Sequence, residues 1–213
     1  MPNPYKIRRQ KMKKLNIRLV TMVLLICGAI PINVQAQSAP TSTDDDTKKR
    51  SAYILSVTSI NQHLFPSLLH DYDCFVASML MALNFFDENI TYNELMPTLR
   101  GNEKAGLPAD PSFVFGVTEG RLQATGNYTN RLASVIENEL RGGRPIVVAI
   151  SNMSLLAENW DITTGHAVLV YGIYNGHIFY VDPNNGERYL QHTQPFINAS
   201  TYPDGAFVIT FDD

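Results

Sequence analysis

The chain has 213 residues, 45% hydrophobic and 17% charged, which suits one globular domain with a segment to spare and excludes collagen, a long disordered chain and, with two cysteines, a disulfide scaffold. The net charge of −3 is uneven: seven of the 17 basic side chains and no acid lie in residues 1–36, leaving ten basic against 20 acidic from Gln37 onward. So acidic a surface repels phosphate backbones, and no nucleic-acid partner is expected.

The first predicted element is a targeting segment. Basic residues run from Arg8 to Arg18, an apolar stretch follows from Leu19 to Ile30, and Val34-Gln35-Ala36 presents small residues before Gln37. Those are the three parts of a secretory signal peptide. The apolar run is shorter than the roughly 18–20 residues of a membrane-spanning helix, so residues 1–36 are expected to be removed rather than kept as an anchor. Ile26, before Cys27, is too large for a lipoprotein site. Residues 37–50 contain hardly any apolar side chain and read as a flexible linker. The folded domain is expected over 51–213, secreted or on the cell surface, with Cys74 as its single cysteine.

Within that domain, 52–60 is rich in Ile, Val and Tyr and reads as a strand. Asp73 is a good N-cap for an apolar helix that starts at Cys74 and is buried all round. Thr91-Tyr92-Asn93-Glu94 matches a capping box for a second helix that Pro97 should limit. Residues 101–117 carry Gly, Pro and Asp without a period and read as a long loop. Thr129 or Asn130 should cap a third helix with Leu132, Val135, Ile136 and Leu140 on one side, closed by Gly142-Gly143. Strands then follow over 145–150, 166–174, 177–182, 187–191 and 206–211, the second and third joined at Asn175-Gly176, a strong hairpin signal. Helices first and antiparallel strands after give an α+β class.

One constellation carries chemistry. Cys74 sits at a helix start, where unpaired N–H groups and the helix dipole favour a thiolate. A nucleophilic cysteine also needs a base in hydrogen-bond reach and a group to orient that base. His166 opens one strand and Asp182 ends the next, so the three can form a triad, and Gln62 can offer a side-chain N–H to an oxyanion. His63 and His70 lie close to Cys74 in sequence as substitute bases, and Trp160 reads as a core-packing residue, with a cleft wall as the alternative. His177 and His192 read as hairpin and surface residues. The cysteine and histidines show no paired metal-ligand spacing, and there is no nucleotide fingerprint; neither metal nor cofactor is expected.

The ordered segments Asn61-Gln62, Tyr72-Asp73-Cys74, Ala77-Ser78-Met79-Leu80, Asp110-Pro111, Gly143-Arg144-Pro145, Gly165-His166-Ala167 and Val181-Asp182-Pro183 resemble those of the C39-like peptidases, exported members of the papain-like cysteine peptidase superfamily. Phe75 stands where that family often has Gly or Glu. The resemblance implies a papain-like fold with N-terminal helices packed on a C-terminal antiparallel sheet. It also implies Cys74 as nucleophile, His166 as general base, Asp182 as its orienter and Gln62 as oxyanion donor. The implied function is cleavage of a peptide or related amide bond through a thioester, with a peptide or protein as partner. A cell-wall amidase or acyl transferase with the same triad, and a non-catalytic binding module on this fold, are the alternatives.

Parity adds a constraint. In a regular hairpin with a two-residue Asn175-Gly176 loop, Asp182 would oppose Leu169, an odd step from His166, and the two side chains would point to opposite faces. The triad therefore requires an odd-length loop or one bulge, either of which moves Asp182 opposite Val168.

Overall fold

The computed structural model describes residues 52–65, 73–99, 111–156 and 165–212, the side chains of 96–99 excepted. The expected signal segment 1–36 and linker 37–50 lie outside the described residues, as do His70, Tyr72, Asp110 and Trp160.

Helix α1, Cys74–Phe85, begins at the cysteine as expected. Nine of its twelve residues are buried, from Cys74 through Leu83 with Phe75 excepted, and each large apolar side chain so buried is worth about 1.5–3 kcal/mol. Asp73 occupies the cap position but makes no side-chain cap bond; its carboxylate accepts from the Tyr92 hydroxyl instead, at 3.1 Å. Helix α2, Tyr92–Leu99, runs two residues past Pro97 rather than stopping there. Glu94 reaches back to the Thr91 N–H at 2.8 Å, one half of the predicted capping box. The expected loop over 101–117 contains a short helix, α3, Phe113–Val117, founded on the Val114 N–H to Pro111 carbonyl bond; residues 101–110 lie outside the described residues.

The strands correct the sequence reading in two further ways. Only Tyr53–Ile54 of the expected 52–60 strand forms a ladder, as β1 against Ile173 and Gly172. Strand β2, Gln123–Thr129, was not anticipated, because its polar, glycine-containing sequence lacks a hydrophobic alternation. Helix α4, Leu132–Arg141, is capped by Arg131 rather than Thr129 or Asn130. The Thr129 hydroxyl accepts from the Arg131 N–H one turn earlier, at 3.0 Å. Gly142 and Gly143 close α4 as expected, Gly143 at φ 78°.

Strands β3, Ile146–Ile150, β4, His166–Tyr174, β5, His177–Asp182, and β6, Glu187–His192, follow. Helix α5, Thr193–Ser200, unanticipated from the sequence, leads to β7, Thr201–Tyr202, and β8, Gly205–Asp212. The sheet is antiparallel, in the order β2-β8-β3-β4-β5-β6, with β1 added to β4 and β7 to β8.

Its two faces bury two cores. Ala167, Leu169 and Tyr171 of β4 join α1 and α2 on one side. Val168 and Val170 join Ile136 of α4 and Phe196 of α5 on the other. The β4–β5 hairpin then resolves the parity constraint. Tyr174 pairs with His177, so the loop is the two-residue Asn175-Gly176 turn, both residues at positive φ. Gly172 still pairs with Phe179, but Val170 pairs with Tyr180 and Leu169 with Val181. Tyr171 is thus an extra residue in β4, the bulge that the triad required. Its carbonyl accepts from the Leu55 N–H at 2.8 Å. A Cβ on neighbouring Gly172 would stand 3.2 Å from both Ile54 and Phe179, so close packing around the bulge favours glycine.

Candidate active site

The bulge sets the site. With Leu169 opposite Val181, the ladder carries Asp182 to the level of Val168, two residues from His166 and on the same face. The His166 Nε2–H donates to Asp182 Oδ1 at 2.9 Å. Both are buried, 6% and 2% exposed, and removing one partner of such a pair costs about 3–5 kcal/mol because the other charge is stranded. Asp182 Oδ1 also accepts from the Asn184 N–H at 2.9 Å, and the Asp182 carbonyl from the Gly186 N–H at 2.8 Å. The carboxylate is therefore fixed by its own turn as well as by the imidazole.

Cys74 comes to the same site from the start of α1. Ser78, one helical turn after Cys74 and on the same helix face, donates its hydroxyl hydrogen to the Ala167 carbonyl at 3.1 Å. That bond registers α1 against the first residues of β4, and brings Cys74 close enough to act on the His166 pKa. With Nε2 committed to Asp182, Nδ1 is the nitrogen left for the sulfur. Burial pulls the His166 pKa down, but the hydrogen bonds to Asp182 and Cys74, and the charges of both, outweigh it and raise the pKa to about 9. An imidazole so placed is protonated at neutral pH.

Gln62 opens a short 3-10 turn, Gln62–Leu64, and is 2% exposed. Its N–H donates to the Pro183 carbonyl at 2.8 Å, so the turn is sewn to the residue after Asp182. Asn61 strengthens the seam, donating from Nδ2 to the Asn185 carbonyl at 3.2 Å, as does the Ser59 hydroxyl bond to the Gly186 carbonyl. The turn also packs against α1. His63 projects outward and its Nε2 meets Asn184 Oδ1 at 3.0 Å, which places it on the rim rather than against the thiol. His177 and His192 pair across β5 and β6 at the hairpin end, at the opposite end of β5 from Asp182.

Two contributors escaped the sequence reading. Ser78 had a signal, a polar residue four positions after the cysteine within the buried apolar run of α1. Tyr202 had none: its hydroxyl lies 3.3 Å from where a Cβ on Gly165 would stand. Burial raises the Tyr202 pKa, with smaller contributions from Tyr128 and Cys74. Among the described residues no group of three or more His, Cys, Asp or Glu side chains is placed to hold a metal ion, and no helix is long and apolar enough to cross a membrane.

A family model described as the Peptidase_C39 like family matches residues 54–202. Of the solved structures that resemble this chain, one described as a C39-like peptidase from Bacillus anthracis is 16% identical, with a TM-score of 0.56 over 76% of this chain and 98% of its own. Another, a double glycine motif protease from an AMS/PCAT transporter in complex with the leader peptide, is 14% identical, with a TM-score of 0.48 over 78% of this chain and 94% of its own. No curated protein matches the sequence. The family match covers most of the chain, so the chain belongs to the C39-like peptidase family, and its α+β architecture is of the papain-like type.

Proposed function

From membership in that family, we propose that this chain is an exported cysteine peptidase that cleaves a peptide or related amide bond through a thioester. The observation that carries the reading is the buried His166, held by Asp182 at 2.9 Å through Nε2, with Cys74 at the start of α1 close enough to raise its pKa. Three separate elements converge there, and a structural cysteine needs no such arrangement.

In this reading Cys74, as a thiolate facing the His166 imidazolium, attacks the scissile carbonyl carbon. The carbonyl oxygen becomes an oxyanion, which the Gln62 side-chain N–H stabilises. His166 then gives its Nδ1 proton to the departing amine, leaving a thioester on Cys74. A water molecule, deprotonated by His166, attacks the thioester, releases the acid product and returns the thiolate beside the protonated His166. Asp182 keeps the imidazole in orientation through both steps and stabilises its charge. Export is supported by the basic, apolar and small-residue order of residues 1–36.

The test is labelling with a peptidyl electrophile followed by mapping of the modified residue. The label is expected on Cys74 and its rate should fall in His166→Ala. A panel of peptides against purified muropeptides then sets peptidase against cell-wall amidase. Absence of label on Cys74 would leave a binding module.

A further inference from the structure

We propose that Tyr92 is a positioning residue that locks the Gln62 turn to the start of the nucleophile helix. This rests on the reading of Cys74 and Gln62 given above. Tyr92 is the first residue of α2. Its hydroxyl donates to Asp73 Oδ2 at 3.1 Å. Asp73 is 3% exposed, immediately precedes Cys74, and its carbonyl accepts the first-turn bond from the Ala77 N–H at 2.9 Å. The polar end of Tyr92 therefore grips the residue from which α1 starts.

Its ring grips the other segment. Tyr92 stacks on Phe65 with ring centroids 4.3 Å apart and planes 28° from parallel, a favourable aromatic geometry. Phe65 closes the 3-10 turn, its N–H donating to the Gln62 carbonyl at 3.2 Å. The Gln62 turn is thus held on two sides: toward Pro183 by its own N–H and the bonds of Asn61 and Ser59, and toward α1 by packing and by Tyr92 through Phe65. The first ties it to the Asp182 corner and the second to Cys74. One side chain thereby connects the start of the nucleophile helix and the turn that carries the oxyanion donor.

Such a connection matters because an oxyanion donor acts only when it sits about 2.7–3.1 Å from the oxygen that develops charge, and a displacement of about 1 Å can lower turnover about 100-fold. A loosened Gln62 turn would leave substrate binding nearly intact, since the defect appears only as the oxyanion forms. Tyr92→Phe and Tyr92→Ala separate the two grips. The first keeps the stack and removes the bond to Asp73; the second removes both. Tyr92→Leu, which refills the space without an aromatic face, serves where the alanine variant does not fold.

The experiment combines amide hydrogen exchange with steady-state kinetics on the full chain, for these variants, for Gln62→Ala and for the double variants. Tyr92→Ala or Tyr92→Leu should speed exchange both at 61–65 and at 74–78, whereas Tyr92→Phe should speed it at 74–78 alone. kcat should fall roughly 10- to 100-fold with KM nearly unchanged, and in the Gln62→Ala background the same substitution should cost no more than about 2-fold, since the two act as one unit. Unchanged exchange at 61–65, or losses that multiply in the double variant, would overturn the proposal. Exchange that behaves as expected in a protein with no turnover and no Cys74 labelling would uphold the linkage and overturn the catalytic reading instead.

Discussion

Ser78 and Ala167 are joined by a hydrogen bond of 3.1 Å between the serine hydroxyl and the alanine carbonyl. Both lie in the interior, Ser78 fully and Ala167 at 6% exposure. Because Ser78 is one turn from Cys74 and Ala167 is next to His166, this bond fixes how far the thiol stands from the imidazole. Ser78→Ala should lower stability by about 1 kcal/mol, seen as a fall of about 2–4 °C in Tm. It should also slow alkylation of Cys74, whereas Ser154→Ala, on the exposed 3-10 turn after β3, should leave alkylation unchanged.

Asp182→Asn keeps the size of the orienting side chain and removes its charge. The amide can still accept from His166 Nε2–H, but it no longer stabilises an imidazolium, so the His166 pKa falls from its wild-type value as the Asp182 contributions are lost and burial remains. A fall in kcat/KM of about 100- to 10,000-fold is expected by analogy with other triads, and imidazole titration followed by NMR should move to lower pH. A titration that stays where the wild type has it would refute the assigned role of Asp182.

The same ionisation links stability to pH. The folded pKa of His166, about 9, lies above its unfolded value of 6.5. The stabilisation it reports is therefore complete below about pH 6.5 and is lost as pH rises through about 9. Taken at 1.36 kcal/mol per unit, the loss is on the order of 3 kcal/mol. Chemical denaturation at pH 6 and at pH 10 should show it, and Asp182→Asn should flatten the trend.

Gly205 begins β8 at φ 105°, with Thr129 and Asn130 oxygens 2.8 Å from the position of an added Cβ. Neither the backbone angle nor the backbone oxygen can give way cheaply. Gly205→Ala should cost about 1–3 kcal/mol, measured as a lower midpoint in urea. Since Gly205 pairs with Tyr202, it should also disturb the tyrosine that approaches Gly165.

Processing is testable on the exported chain. If Val34-Gln35-Ala36 is the cleavage signal, N-terminal sequencing should begin at Gln37. A mature chain that retains residues upstream of Leu19 would favour a membrane anchor.

Local sequence determined a good deal here. The apolar, non-β-branched run after Asp73 sets α1 to begin at Cys74, and the Asn175-Gly176 turn between β-branched runs sets β4 and β5 to their observed ends. Counting also required either an odd-length loop or a bulge, because side chains alternate along a strand and a His–Asp contact tolerates only one parity; the two-residue turn left the bulge. Which residue would be the extra one did not follow. Tyr171 holds that place because the Leu55 N–H meets its carbonyl and Gly172 admits Ile54 and Phe179, partners more than one hundred or several residues away in the chain. The same reason explains the other differences. Asp73 caps no N–H because Tyr92 takes its carboxylate, and 52–60 forms only a two-residue strand because β4 offers a free edge only near Gly172 and Ile173. Gln62 is buried because Pro183 binds its N–H. Periodicity and turn chemistry act over a few residues and can be read along the chain, whereas the choice of a hydrogen-bond partner across the fold is made only when the segments meet.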